Sequence, residues 1–200
     1  MPYGSALTHT SSAPQAELIA GDGPAARIVM LRDGRRVTLR IARPEDIAAV
    51  QQFVRSLSER SRRNRFLAPV RELSPDQLDC VTRSRPPWEL AFVGESTEGA
   101  KSRIVAMAQY AAWEPLEAEF AVVVDDAWQR QGLGIQLLGV LAEHASRAGL
   151  TALAGIVFAD NWPMLALLAR FDCEIVTDRD PYLIRAVKRL DMRELAVRVA

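Results

Sequence analysis

The sequence predicts an α/β (α+β) protein in which a mixed, mostly antiparallel sheet carries helices on both faces. Short β-branched apolar segments of strand length alternate with segments whose apolar residues recur every three or four positions, as in amphipathic helices. Residues 33–34 read Asp-Gly between two of the apolar segments, and this dipeptide favours a tight antiparallel hairpin. Further along, strands are predicted over residues 120–124 and 151–158, before and after an amphipathic helix. Strands on both sides of a buried helix, together with an early hairpin, give a mixed sheet.

The N-terminal segment differs in composition from the rest of the chain. Residues 1–25 are rich in Ser, Thr, Ala, Gly and Pro and show no periodicity, which predicts a disordered tail. Residues 26–200 are predicted to form one domain, because a chain of this length can bury a single sizeable core. Its first two strands are predicted over residues 28–31 and 37–41, on either side of the hairpin turn.

Three helices are predicted next. The first opens at residues 43–46, where a proline and two acidic residues suit a first turn, and it runs to Leu57. A shorter helix is predicted over residues 58–66. The third opens at Ser74, which has Gln77 three residues later and therefore forms a capping box.

The next elements are predicted from a change in the spacing of the apolar residues, from a helical to a strand pattern. Residues 90–93 and 104–110 are predicted strands, separated by a turn rich in Gly, Ser and Thr over residues 95–102. The amphipathic helix mentioned above is predicted to end at residue 148, with Gly149 as its left-handed cap.

Towards the C-terminus, Asn161 is predicted to cap one more helix. Asp172 after that helix is a plausible residue for a left-handed conformation. A strand is predicted over residues 183–187, and a final edge strand over residues 195–199.

Composition excludes several classes of protein. The 25 basic and 25 acidic side chains give a net charge of zero, so the long-range field of a nucleic-acid-binding protein is absent. No apolar run approaches the ~20 residues of a membrane span, and signal-peptide features are lacking, so a cytoplasmic protein without membrane contact is expected. Cys80 and Cys173 have neither a disulfide framework nor metal-ligand spacing. They are interpreted as reduced core residues, and no metal is expected.

A glycine loop joins the strand at residues 120–124 to the amphipathic helix. Residues 129–134 read Gln-Arg-Gln-Gly-Leu-Gly. Free N–H groups at the start of a helix form an anion site, and a phosphate is its natural ligand. A dinucleotide fingerprint needs a third glycine where Leu137 stands, so a nicotinamide-binding module is disfavoured. A P-loop needs Lys and then Ser or Thr, and residues 135–136 supply neither.

The loop resembles the pyrophosphate loop of the GCN5-related N-acetyltransferases, whose pattern is Gln or Arg, two residues, Gly, one residue, and Gly or Ala. Gln129, Gly132 and Gly134 match this pattern. Residues 37–66 look like the acetyltransferase domain of bacterial protein lysine acetyltransferases. The resemblance implies the GNAT fold from about residue 27 onward and acetyl-CoA as co-substrate. The co-substrate-binding residues that it implies are Val122, Val123, Val124, Gln129, Arg130, Gln131, Gly132, Leu133, Gly134 and Asn161.

The resemblance also assigns a catalytic base. A lysine ammonium has a pKa of about 10.4, so the acceptor amine must lose a proton before it attacks a thioester. Glu119, ten residues before Gln129, takes this role by resemblance, and Glu117 on the same strand face is the substitute candidate. Asn161 is interpreted either as a co-substrate contact or simply as a helix cap. The tyrosine that the family often uses to protonate the leaving thiolate is replaced by Leu168.

The resulting hypothesis is an acetyl-CoA-dependent N-acetyltransferase in which a bound amine attacks directly. A protein lysine is the favoured acceptor by resemblance, a small-molecule amine is an alternative, and a non-catalytic acetyl-CoA-binding subunit is a third possibility. A monomer and a homodimer both remain open. A run of arginines is interpreted either as a solvated helix face or as a contact for the 3′-phosphate or an acidic protein partner. These arginines are Arg55, Arg60, Arg62, Arg63, Arg65 and Arg71.

Overall fold

The computed structural model describes residues 26–98, 101–177 and 180–190. Within these ranges the chain forms one eight-stranded sheet with the strand order β1-β2-β3-β4-β5-β6-β8-β7. The strands are β1 (Ala26–Met30), β2 (Arg36–Ile41), β3 (Glu89–Glu98), β4 (Lys101–Glu114), β5 (Glu117–Val124), β6 (Ala152–Phe158), β7 (Glu174–Thr177) and β8 (Leu183–Arg189). Every neighbouring pair is antiparallel except β5 and β6, which are parallel. The predicted mixed, mostly antiparallel sheet is confirmed.

Five α-helices cover the sheet in the described part of the chain. They are α1 (Ile47–Ser56), α2 (Glu59–Phe66), α3 (Pro75–Thr82), α4 (Leu133–Arg147) and α5 (Trp162–Arg170). A 3₁₀ turn over Pro44–Asp46 precedes α1, and another over Asp126–Trp128 precedes the glycine loop. No helix in these ranges combines the length and apolarity that crossing a bilayer requires.

The predicted helix starts are confirmed by their capping hydrogen bonds. The Ser58 hydroxyl accepts a hydrogen bond from the backbone N–H of Ser61 at the start of α2. At α3, the Ser74 hydroxyl accepts from the Gln77 backbone, and the Gln77 side chain accepts from the Ser74 backbone. Such caps satisfy N–H groups that the first helical turn leaves free.

One predicted turn is wrong and one strand was missed. Residues 95–102, predicted as a turn, belong mostly to β3 and β4, whose pairing continues to Glu98 and Lys101. Polar residues continue these strands because they bond across the sheet, as the Glu95 carboxylate does with Arg40 and Ser102. Strand β7 was not predicted. It is short, and among the described strands it pairs with β8 alone. The predicted tail and the predicted strand at residues 195–199 lie outside the described residues.

The core has two apolar layers, one on each face of the sheet. Helix α4 packs Leu137 and Leu141 against residues that include Phe120 of β5. Helices α1 and α3 cover the opposite face, where Phe53 packs in a cluster with Val123 of β5. Because side chains alternate along a strand, Glu119 shares the face of Val123 and points towards the α1–α3 side.

Helix α4 contains a glycine that the fold does not need. Gly139 lies in the helix interior, and a methyl group built there meets no atom within 4 Å. We therefore expect Gly139→Ala to stabilise the protein by about 0.5–1 kcal/mol, because alanine loses less backbone entropy in a helix. Thermal unfolding should show a Tm that is higher by about 1–4 °C.

Gly134→Ala in the same helix is the matched control. A methyl group there would lie 3.0 Å from the Leu167 side chain of α5. We expect no gain in Tm at this position, because the packed neighbour must move. A lower Tm for Gly139→Ala would contradict the open space at that position.

Candidate functional site

The cleft of the molecule begins where β5 and β6 separate. The two strands pair over Glu117–Glu119 and Ala152–Ala154 alone among the described residues, and they diverge beyond these pairs. A cleft of about 1370 Å³ opens between them, lined by residues of both strands, α2, α5 and the glycine loop. This volume exceeds the ~300–1,000 Å³ of an ordinary small-molecule pocket, so it has room for an extended ligand and a second reactant.

A glycine at the point of divergence explains part of the cleft's shape. A methyl group at Gly155 would lie 2.9 Å from the Phe120 ring and 3.3 Å from the Phe120 carbonyl oxygen. Only glycine therefore lets β6 approach Phe120 this closely at the inner end of the cleft. Beyond this point, Val122, Val123 and Val124 line the cleft and have no strand partner on the β6 side.

The glycine loop presents a row of free backbone donors. Arg130 and Gly132 have φ angles of 62° and 93°, in the left-handed region. The hydrogen bonds within the described chain include none donated by the backbone N–H groups of residues 130–135. The first amide that is bonded in the helix is that of Gln136, which donates to the Gly132 carbonyl oxygen at 3.3 Å. Free N–H groups at the positive end of the helix dipole form a site for an anion such as a phosphate.

Neighbouring elements hold this loop in place. The Gln129 side-chain amide donates to the Val124 carbonyl oxygen at 3.0 Å and to the Ser61 hydroxyl at 3.3 Å. The Arg32 backbone N–H donates to the Gln131 carbonyl oxygen at 3.2 Å, which ties the β1–β2 turn to the loop. These contacts fix the loop against β5, α2 and the β1–β2 turn.

A carboxylate also anchors α2 to the segment before the loop. The Asp126 carboxylate accepts hydrogen bonds from the backbone and hydroxyl of Ser58 and from the Ser61 hydroxyl. Partial burial opposes ionisation of Asp126, but these hydrogen bonds outweigh it and lower the pKa of the carboxyl. This contact fixes α2 as the wall of the cleft that faces β5.

Most of the sequence-predicted site residues meet in the cleft. Those that line it are Glu119, Val122, Val123, Val124, Gln129, Arg130, Gly132, Gly134 and Asn161. Two others do not line it. The Leu133 side chain is buried in the core, and Gln131 faces Arg32 through its carbonyl group. Both still contribute backbone N–H groups to the row of free donors.

Asn161 has the capping role that was one of its two interpretations. Its side-chain oxygen accepts a hydrogen bond from the Met164 backbone N–H at 3.4 Å, at the start of α5. The same residue lines the cleft. Leu168, at the position of the family's tyrosine, is fully buried and carries no hydroxyl to the cleft.

Glu119 lies in the cleft on the side of α2. Its side chain is reached by solvent, yet surrounding protein removes part of its hydration, and this burial raises the pKa of the carboxyl. The charge of Arg65 on α2 partly offsets that rise. Glu117, the substitute candidate, instead forms ion pairs with Arg185 at 3.5 Å and Arg189 at 3.7 Å and is not among the residues that line the cleft.

Arg65 of α2 is the charged neighbour of Glu119. Its Nε is shielded from solvent and has no hydrogen-bond acceptor among the described residues. Burial lowers the pKa of the guanidinium to about 10, while Glu119 acts in the opposite direction. The sequence placed Arg65 in a basic run without indicating that it faces Glu119.

The other arginines of that run have mixed roles. Arg60 lines the cleft, as Arg65 does. Arg63 lies 3.9 Å from the centre of the Phe158 ring, and Arg62 donates to main-chain carbonyl groups at the end of α1. Arg55 forms an exposed ion pair with Glu72. Two further arginines that line the cleft, Arg32 and Arg170, lay outside the predicted run.

The cysteines take no part in the cleft. Cys80 and Cys173 are unpaired and half-buried, and neither is among the lining residues. Burial raises the pKa of both thiols, that of Cys173 to about 11, so neither is an activated nucleophile. Within the described ranges, no group of His, Cys, Asp and Glu residues is arranged to hold a metal ion.

Known proteins that are similar to this chain are acetyltransferases. The sequence matches the family described as "Acetyltransferase (GNAT) family" over residues 53–172. It is 34% identical over 152 residues to "Acetyltransferase PA5475" of Pseudomonas aeruginosa, covering 76% of this chain and 81% of that protein. It is also 29% identical over 99 residues to an L-methionine sulfoximine/L-methionine sulfone acetyltransferase of the same organism, covering 47% of this chain and 55% of the relative.

Among solved structures, the fold is similar to that of the GNAT domain of S. lividans PAT. The two share 25% sequence identity, and the match covers 84% of this chain and 100% of that domain with a TM-score of 0.76. The eight-stranded sheet and the helices on its two faces are therefore shared with a solved GNAT domain.

Proposed function

The chain belongs to the acetyltransferase (GNAT) family, and from this premise we propose that it is an acetyl-CoA-dependent N-acetyltransferase of the cytoplasm whose acceptor is a protein lysine. One observation carries the proposal: the row of free N–H groups and the Glu119 carboxylate open into the same cleft. A phosphate-bearing co-substrate held at the loop can extend along β5 towards that carboxylate.

The residues present fit the parts of acetyl-CoA. The N–H groups of residues 130–135 suit its diphosphate, because main-chain donors at a helix start bind such anions without a charged side chain. Along Val122–Val124, main-chain groups on the β6 side of β5 lack a strand partner, and those not already bonded to Gln129 suit the amide-bearing pantetheine arm, which can bond to them as an added strand does. Asn161 lines the same cleft from the α5 side. Acetyl-CoA would supply the acetyl group as an activated thioester.

The proposed chemistry of the protein is a proton transfer. The Glu119 carboxylate accepts a proton from the acceptor's ammonium group, directly or through one water, before attack. The nitrogen then bonds to the acetyl carbon, the carbon–sulfur bond breaks, and the second proton lost by the nitrogen passes to water. A raised pKa makes Glu119 a stronger base than an ordinary carboxylate. The thiolate leaves without a dedicated acid, since a thiol with a pKa of about 8.5 is a good leaving group.

The acceptor could be a protein lysine or a small amine, and experiment can distinguish the two. Similarity to the GNAT domain of S. lividans PAT, a protein acetyltransferase, favours an amine on a protein. The L-methionine sulfoximine/L-methionine sulfone acetyltransferase favours a small amine, and the volume of the cleft is sufficient for one. A non-catalytic acetyl-CoA-binding subunit would bind the co-substrate but acetylate neither a protein lysine nor a small amine.

The acceptor is tested with purified protein and labelled acetyl-CoA. Proteins of a cell lysate and, separately, a panel of polyamines, aminoglycosides and amino acids are incubated with it and examined by intact-mass analysis. Labelled protein lysines would support the proposal, and labelled small amines alone would favour the second candidate. Calorimetric binding of acetyl-CoA without any labelled product would identify a non-catalytic subunit.

The pH dependence of the reaction should depend on Arg65. Its positive charge lowers the pKa of Glu119, so we expect Arg65→Met to raise that pKa. A base acts in its deprotonated form, and the acid limb of kcat/KM should therefore move to higher pH in the variant. The pH profile at a fixed concentration of amine measures this shift.

Arg63→Met is the control for that experiment. Arg63 lies on the same helix but is half-exposed, and it contacts Phe158 and Asp160 instead of Glu119. Its replacement should leave the acid limb in place. An acid limb that moves to lower pH in Arg65→Met would contradict the assignment of this limb to Glu119.

A further inference from the structure

The carboxamide of Gln109 on β4 is a buried polar group without a partner. The residue is only 9% exposed and lines the cleft, and its Oε1 accepts no hydrogen bond from any described residue. Buried polar atoms in folded proteins almost always have a hydrogen-bond partner. The oxygen is itself shielded from solvent, and no hydrogen bond to a described residue holds the carboxamide in this orientation, so a donor on a ligand in the cleft can become its partner once the amide turns.

The strand register brings this carboxamide close to Glu119. Gln109 pairs with Ala121, and Ala111 pairs with Glu119, so the two polar residues are diagonal neighbours on one face of the sheet. Diagonal neighbours lie about 7–8 Å apart, within reach of long side chains. Ala111 and Ala121 also line the cleft, and their small side chains leave space between Gln109 and Glu119.

We infer that the Gln109 carboxamide oxygen accepts one N–H of the acceptor amine while the Glu119 carboxylate accepts the other. The inference rests on the proposed N-acetyltransferase function and names a substrate-binding residue that neither the sequence pattern nor the comparisons indicate. A terminal amide torsion has two broad minima, so the oxygen can turn towards the cleft when a donor enters it.

Two hydrogen bonds fix the orientation of the acceptor amine, whereas one does not. An amine held by Glu119 alone can rotate about that hydrogen bond, which leaves the direction of its lone pair undefined. A second acceptor fixes two N–H vectors and the carbon chain, and the lone pair then points in one direction only. Correct orientation of the attacking atom is a large part of enzymatic rate enhancement. Gln109 suits this position because an uncharged amide accepts a hydrogen bond without competing for the proton.

The kinetic test compares Gln109→Met with Ser146→Ala. Ser146 of α4 also has a buried hydroxyl without a partner in the described chain, but it is not among the residues that line the cleft. We expect Gln109→Met to lower kcat/KM for the amine by about tenfold or more, as loss of one hydrogen bond to a reacting group does. The KM for acetyl-CoA and the Tm should not fall. Ser146→Ala should match wild type in all three measurements.

A binding test keeps this inference separate from the proposed function. The probe is n-butylamine, which has the chain and amine of a lysine side chain, and its effect on Tm is measured in the presence of CoA. Wild type should be stabilised by n-butylamine, and Gln109→Met should respond less.

The outcomes are distinct. Turnover of no amine by wild type would reject the proposed function, while the n-butylamine measurement would still decide the role of Gln109. Equal responses to n-butylamine in wild type and Gln109→Met, or no response in wild type, would overturn the inference. An unchanged kcat/KM in Gln109→Met would overturn it as well.

Discussion

Replacing Glu119 by glutamine is expected to lower kcat/KM for the acceptor amine by about 10²–10⁴-fold near neutral pH, the usual contribution of a general base. Glutamine keeps the size and hydrogen-bonding reach of the side chain but accepts no proton. The affinity for acetyl-CoA should be unchanged, since the substitution does not alter the glycine loop or the β5 main chain, which we propose to bind acetyl-CoA. Release of the CoA thiol measures the rate, and calorimetry measures the affinity.

The pH dependence sharpens this prediction. The deprotonated fraction of a free amine rises as pH approaches its pKa of about 10.4. The defect of Glu119→Gln should therefore shrink with increasing pH, because more of the acceptor arrives already neutral. A defect of constant size across the alkaline range would indicate that Glu119 acts by another route.

Glu117→Gln is the matched control for Glu119→Gln. It lies two residues earlier on the same strand face, but its carboxylate is occupied by Arg185 and Arg189. We expect its kcat/KM to stay within about threefold of wild type, the size of a surface ion-pair effect. If Glu117→Gln loses activity and Glu119→Gln does not, the base has been assigned to the wrong residue.

The second large effect is expected at Gly132. Its φ of +93° lies in a region that side chains rarely adopt, and a methyl group there would project into open space. In Gly132→Ala, either the loop relaxes and its N–H groups turn away from the phosphate site, or the methyl group occupies part of that site. We expect the Kd for acetyl-CoA to rise by about 10–100-fold, equivalent to about 1.4–2.8 kcal/mol.

Gly149→Ala separates the effect on binding from the effect of backbone strain. Gly149 has a φ of +87° after the C-terminal end of α4, at the opposite end of that helix from the glycine loop, and a methyl group there also meets nothing within 4 Å. Both substitutions should destabilise the fold by about 1–2 kcal/mol, the cost of a left-handed residue with a side chain. Only Gly132→Ala should change the Kd. An unchanged Kd in Gly132→Ala would remove the loop from the proposed binding site.

Short-range features of the structure could be predicted from sequence. The caps at Ser58, Ser74 and Asn161 depend on residues within three positions, so the pattern contains all the necessary information. The glycine loop is visible in the sequence for a similar reason, because strand, loop and helix follow one another directly along the chain, whereas Glu119 is proposed from the resemblance to the acetyltransferase family.

Features that depend on long-range contacts could not be predicted. Strands β3 and β4 extend through a polar segment because Glu95 is bonded to Arg40 and Ser102, and propensity alone favours a turn there. The positions of Arg65, Gln109 and Gly155 around Glu119 and Phe120 depend on how α2, β4 and β6 meet β5. Arg65 and Gly155 are distant from β5 in sequence. Gln109 lies on the strand directly before β5, but its local pattern does not indicate which side chains it lies beside.

The limited pairing between β5 and β6 makes the stability of the fold depend on the concentration of acetyl-CoA. The sheet is continuous from β1 to β5 and again from β6 to β7, but the two parts are joined by only a few residue pairs. If acetyl-CoA forms hydrogen bonds along this gap, it connects the two parts of the sheet. It does so in the native state and not in the unfolded state. By mass action, a concentration one hundred times the Kd would add about 2.7 kcal/mol to the free energy of unfolding. The enzyme would then resist unfolding and proteolysis best when its own thioester substrate is abundant.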